Sequence, residues 1–116
     1  MNEIVAPKSW IEATVKAEAR RLIGLRLRAA RIALGYDQPR GRTQEAFYAE
    51  VAASKQSGSN WEVGGVIPRA DTLVKLYERY EINPDWILLG RPGGLPGPLA
   101  GAIIGKFNQI KGNSDR

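Results

Sequence analysis

The sequence predicts an all-α fold. Apolar residues recur at steps of three, four and seven between residues 11 and 34, the spacing of one helix face. Residues 43–64, TQEAFYAEVAASKQSGSNWEVG, contain two N-cap residues, Thr43 and Ser54, each ahead of a short helix-forming run. Residues 69–90 hold another periodic run, then an Asn83-Pro84 helix start closed by Gly90.

From the N-terminus, residues 1–8 read as a frayed tail that Pro7 ends. Ser9-Trp10-Ile11-Glu12 has the capping-box pattern and starts a helix at Trp10. Ile11, Val15, Leu22, Leu25, Ala29 and Ile32 form one stripe that runs to Leu34. Gly24, in its middle, marks a kink or a split. Gly35 is a C-cap, and residues 36–42, with Pro39 and Gly41, form a loop. In the helix after Thr43, Phe47 and Val51 share a face. Ala52-Ala53 makes a turn, and Lys55 to Trp61 forms a second helix that Gly64 stops.

A helix over residues 69–80 presents Leu73, Leu76, Tyr77 and Tyr80 on one face. The short helix after Asn83 places Trp86, Leu88 and Leu89 in the core. Residues 91–98 read as a Pro/Gly linker. Leu99, Ile103, Phe107 and Ile110 then recur at helical spacing, giving a sixth helix that Gly101 and Gly105 weaken. Residues 112–116 are expected to be disordered, and no internal repeat is present.

With 116 residues the chain reads as one domain with tails, large enough for a core without staples. It has no cysteine and no histidine. Disulfides, thiolate metal sites, the thiol nucleophile and the commonest general base are therefore excluded. Paired carboxylates, a phosphate-binding glycine loop and a metal cluster are likewise missing from the pattern. The expectation is a non-enzyme with no catalytic residue, no metal and no cofactor. No apolar run has membrane-spanning length and no signal-peptide segment opens the sequence, so a soluble cytoplasmic protein without a membrane partner is expected.

The net charge is +5. Residues 1–42 hold nine Lys/Arg against four Asp/Glu, whereas residues 43–116 hold eight of each. The excess sits on the first helical segment and on Arg40-Gly41-Arg42. Such a face suits a polyanion such as DNA, and a solvated arginine-rich helix is the plain alternative. Arg40 and Arg42 stand just before the second helix, where free N–H groups already favour phosphate. The helix after Ser54 carries Lys55, Gln56, Ser57, Ser59 and Asn60. These side chains are poor material for a structural face and good material for base edges.

Residues 43–64 resemble the helix-turn-helix of the lambda-repressor and Cro-like (XRE-type) DNA-binding family. Thr43-Gln44-Glu45, Phe47, Val51, Ser54-Lys55-Gln56, Trp61-Glu62 and Gly64 carry the likeness. Upstream, Leu27-Arg28 and Arg31-Ile32-Ala33-Leu34-Gly35 resemble the family's first helix and its stop. Downstream, Pro68, Thr72-Leu73, Lys75-Leu76 and the run from Asn83 to Gly90, NPDWILLG, resemble its fourth and fifth helices.

The resemblance covers residues 22–90 and implies a five-helix lambda-repressor-like domain there. Residues 1–21 would be a mostly helical extension, and residues 99–116 a helix and tail beyond the linker. It implies a bacterial or phage transcriptional regulator of repressor type, binding double-stranded DNA sequence-specifically with residues 54–63 in the major groove. A palindromic operator and a homodimer go with that reading. Lys55, Gln56, Ser59 and Asn60 match base-facing positions. Thr43, Gln44 and Ser57 join Arg40 and Arg42 as phosphate contacts. Arg31 and Glu62 match a structural pair. The dimer contact falls either to Trp10, Ile11 and Val15 or to Leu99, Ile103 and Phe107, whose other reading is packing onto the domain. The competing function is a protein-interaction module, an antitoxin or adaptor with a protein partner.

Four residues depart from the family pattern. Tyr48 stands for alanine and Gly58 for a branched aliphatic, so the tyrosine ring is expected to fill the space at Gly58. Ala52 replaces a turn glycine, and Val63 replaces a polar residue that touches phosphate.

Overall fold

A computed structural model describes the backbone of residues 5–114 and the side chains of residues 13–114. Among these residues the chain is all-helical, with six α-helices and no strand. They are α1 (Val5–Ala33), α2 (Gln44–Ala49), α3 (Lys55–Glu62), α4 (Ala70–Tyr80), α5 (Pro84–Leu89) and α6 (Gly97–Ser114), with a 3-10 turn at Pro92–Gly94.

Three of the sequence-predicted N-caps are in place. Thr43 Oγ1 accepts from the Ala46 amide at 3.1 Å, Ser54 Oγ from the Ser57 amide at 3.0 Å and Asn83 Oδ1 from the Asp85 amide at 2.8 Å. Each satisfies a helix-start donor that has no partner within its own helix. Between α2 and α3, Ala52 is left-handed at φ 58° and Gly64 closes α3 at φ 81°. An alanine in that region costs roughly 1–2 kcal/mol.

The first helix differs from its expectation at two points. It begins at Val5 rather than at Trp10, so Ser9 lies within it rather than capping it. Pro7 falls in the first turn, where its missing N–H has no intrahelical partner to lose. Residues 1–4 and the side chains of Trp10 and Ile11 lie outside the described residues. The second point is Gly24, which does not split the helix: α1 runs through it without a break. A Cβ there would sit 2.5 Å from the carbonyl oxygens of both Trp61 and Glu62. Glycine therefore lets α1 meet the backbone at the end of α3.

One core joins all six helices. Leu27 and Ala30 of α1, Phe47 and Tyr48 of α2, Trp61 of α3, Leu76 of α4, Ile87 of α5 and Ile103 of α6 belong to it. Phe47 is its hub, with ring centroids of Tyr48, Tyr36 and Tyr80 at 5.0, 5.3 and 5.7 Å. α1 makes its largest helix–helix contact with α6. Ile103 is fully buried, and Leu99 and Phe107 pack against the core, so these residues are occupied within the chain. The expected α1 stripe holds only in its second half. Leu25 and Ala29 are buried, whereas Val15 is 61% exposed and residues 13–19 meet solvent all round.

Three residues of the expected apolar faces turn outward. Tyr77 is 50% exposed, and Thr72 takes the buried place on α4. Leu88 and Leu89 of α5 are exposed because Trp86 and Ile87 fill the inner face of a helix only six residues long. Within the stretch 91–98 read as a linker, Leu95 is buried, a Cβ on Gly94 would collide with the Asn83 side chain, and Gly97-Pro98 already belong to α6. α6 continues through Gly112 to Ser114, where disorder was expected.

The Tyr48 ring occupies the space beside Gly58. A Cβ on Gly58 would lie 2.2 Å from Tyr48 Cδ2. Gly58→Ala should therefore lose about 1–3 kcal/mol from overpacking, although alanine is the better helix former by about 1 kcal/mol. Gly58→Ile should also destabilise, and Tyr48→Ala combined with Gly58→Ile should cost less than the two single changes added. Urea unfolding of the four proteins measures this. A stabilised Gly58→Ile protein would place the ring elsewhere.

Candidate nucleic-acid interface

α3 buries only Gly58, Trp61 and Glu62, so polar contacts have much to do in fixing its direction. Glu62 is the anchor. Arg31 Nε donates to its Oε2 at 2.7 Å and Arg31 Nη2 to its Oε1 at 3.0 Å, a bidentate pair. The Tyr48 hydroxyl donates to the same Oε2 at 2.5 Å. Arg31 Nη1 also donates to the Tyr36 carbonyl at 2.5 Å. One buried carboxylate thus ties α1, α2 and α3 together, and its arginine holds the chain as it leaves α1. From the other side, Arg20 Nε donates to the Gly64 carbonyl at 3.2 Å and fastens the end of α3.

The ionisation of this cluster follows from its burial. Burial by itself lowers the Arg31 pKa, but the hydrogen bond and the charge of Glu62 outweigh it and the net shift is upward. Burial raises the Tyr48 phenol far above its ordinary value, and the Glu62 carboxylate beside it raises it further.

Held in this way, α3 presents Lys55, Gln56 and Asn60 to solvent. Among the described residues their side chains make no hydrogen bond or ion pair. Ser59 is half-buried, and its hydroxyl donates to Gln44 Oε1 at 3.2 Å, joining the start of α2 to α3. Ser57 serves the helix cap: its amide donates to Ser54 Oγ, and its own Oγ accepts from Ser54 Oγ at 3.1 Å. Thr43 caps α2. Arg40 is exposed on the loop before α2. Arg42 is drawn back, with Nη1 donating to the Leu34 carbonyl at 3.4 Å and its guanidinium 5.3 Å from the Tyr36 ring centroid.

No family model matches the chain, and no curated protein or solved structure is similar enough to match it. Among the described residues no group of three or more acidic side chains is placed to hold a metal ion, and no helix is long and apolar enough to cross a membrane.

Two features of the site were not read from the sequence. One is the hydroxyl of Tyr48 as the third partner of Glu62. Its signal is general, because a buried tyrosine needs a partner for its hydroxyl. The other is Arg28, which lines an open recess of about 300 Å³ with Arg31, Gln44, Ser59, Glu62 and Val63. Arg28 faces that recess through long-range packing, which no local pattern reports.

Tyr48 gives a pH test of the cluster. Its folded pKa lies above its unfolded value of 10.0, so it adds no pH dependence below that value. Above it the unfolded chain releases a proton that the folded chain keeps, and stability falls by about 1.4 kcal/mol per pH unit. Tyr48→Phe should remove one proton's worth of that slope. Urea unfolding at intervals from about pH 9 to about pH 11 checks it; equal slopes for the two proteins would contradict the buried phenol.

Proposed function

We propose that the chain is a sequence-specific double-stranded DNA-binding protein, a bacterial or phage transcriptional regulator of repressor type, built on a lambda-repressor or Cro-like (XRE-type) helix-turn-helix. One observation carries the reading. α3 is anchored at three points through Glu62, yet it leaves Lys55, Gln56 and Asn60 exposed and without hydrogen-bond or ion-pair partners among the described residues. Gln56 and Asn60 are four residues apart and Gln56 and Ser59 three apart, so they share a face. Glutamine and asparagine pair bidentately with adenine, and lysine with the acceptors of guanine. In this reading α3 enters the major groove. Arg40, Arg42, Thr43, Gln44 and Ser57 meet the backbone, and no catalysis is involved.

Such a helix reads only a few base pairs. A homodimer on a palindromic operator doubles the site. Since Leu99, Ile103 and Phe107 are packed inside the chain, Val15 on the exposed part of α1 is the expected contact among the described residues of the two sets. Sedimentation of the full chain, and of a form lacking residues 1–19, with and without DNA, tests this. The shortened form should be monomeric without DNA. A monomer in every condition would remove the dimer.

The second reading is a protein-interaction module, an antitoxin or adaptor. The aliphatic side chains of Val63, Val66 and Ile67, all more than half exposed beside α3, favour it. Substitution separates the two. Gln56→Ala should cost about 1–3 kcal/mol on the preferred duplex and relax preference at one base pair. Gln44→Ala, Arg40→Ala and Arg42→Ala should weaken preferred and scrambled duplexes alike. The salt slope should fall by about one for each arginine. If none of the four changes alters DNA binding, the surface belongs to a protein partner.

A further inference from the structure

The recess between α1, α2 and α3 has an unbalanced set of polar groups. Arg31 and Glu62 form its floor and satisfy each other, with both Glu62 oxygens accepting hydrogen bonds. Arg28 is exposed on the wall. Its side chain has no hydrogen-bond or ion-pair partner among the described residues, so its charge and five donors remain available. Gln44 adds to this. Its Oε1 is engaged by the Ser59 hydroxyl, which leaves the Nε2 amide, with two donors, as the end free to meet a ligand. Val63, 76% exposed at the rim, offers no polar side-chain group at all.

The recess therefore offers cationic and amide donors, while its one carboxylate is already occupied. That composition suits a small anion that only accepts hydrogen bonds, and a volume of about 300 Å³ leaves ample room for a phosphodiester. Its position narrows the source. Ser59 belongs to the recess and lies between Gln56 and Asn60 along α3, so an anion seated here is next to the face that carries those two residues.

We infer that this recess seats one backbone phosphate of the bound duplex. Arg28 and Gln44 Nε2 hold its oxygens, and Ser59 acts as the positioning residue that turns the Gln44 amide. The inference rests on the proposed DNA binding and adds a contact from α1, which supplies the charge that Val63 does not.

The experiment uses the full chain, a preferred duplex selected from a random pool and a scrambled duplex, each titrated at several salt concentrations. Arg28→Ala should weaken both duplexes by roughly tenfold, as loss of a charged hydrogen bond does. Its salt slope should be lower by about one. Arg28→Lys should keep most of the slope, and Lys106→Ala, on α6, should match the wild type. Ser59→Ala should weaken binding without changing the slope. The decisive measurement replaces single phosphates of the preferred duplex, one at a time, by neutral methylphosphonate. At one position in each half-site the wild type should lose affinity and Arg28→Ala should lose no more.

Arg28→Ala binding with wild-type affinity and slope overturns the inference. So does a methylphosphonate penalty that is the same in both proteins at every position. If the wild type binds neither duplex at any salt concentration, the proposed function falls and this inference falls with it; the Arg28 results bear on the recess alone.

Discussion

The buried Glu62 carboxylate is the constraint on which the rest depends. A charge out of water costs several kcal/mol unless it is paired and hydrogen-bonded. Here the pairing groups come from two other helices, Arg31 of α1 and Tyr48 of α2. The penalty becomes a condition on geometry, because the three helices must meet at one point for Glu62 to be tolerated. α3 needs that condition. It has eight residues, a glycine at its centre and polar residues along most of its length, so apolar burial alone would fix it weakly.

Tyr48 serves this arrangement twice. Its ring fills the space that Gly58 leaves, and its hydroxyl reaches Glu62 one turn further along α3. The small residue and the large one are therefore parts of a single solution. A branched residue at position 58 would displace the ring and take the hydroxyl away from the carboxylate. The left-handed Ala52 shows that the turn between α2 and α3 is held by its surroundings at some cost in backbone strain.

The parts of the fold legible in the sequence are those decided within a few residues. Thr43, Ser54 and Asn83 were readable as caps because capping is a local bargain between a side chain and amides two or three positions on. The Arg31–Glu62 pair came from pattern resemblance, and the exposure of Lys55, Gln56 and Asn60 followed from their polarity. Other features are set across the chain. Gly24 looked like a weak point in a helix, and only the approach of α3, more than thirty residues later, explains it. Pro7 reads as the end of a tail only while the helix start is unknown, because proline is tolerated in a first turn. Apolar character alone puts Leu88 and Leu89 inside, yet a helix of six residues has too few inward positions to hold them. The Ser59–Gln44 bond and the place of Arg28 beside it are also products of packing.

The pairing of α1 with α6 has a consequence for the order of assembly. Residues 34–96 lie between the two helices, yet α6 supplies the fully buried Ile103 and makes the largest helix–helix contact with α1. During synthesis α1 is made before α6 and waits through the four helices between them for its main neighbour. Over that interval Leu25 and the apolar residues around it lack their final cover, a surface on which a nascent chain meets holding chaperones or aggregates. Contacts of such sequence separation also slow folding. The later-made α6 is thus the helix that ends the exposure of α1.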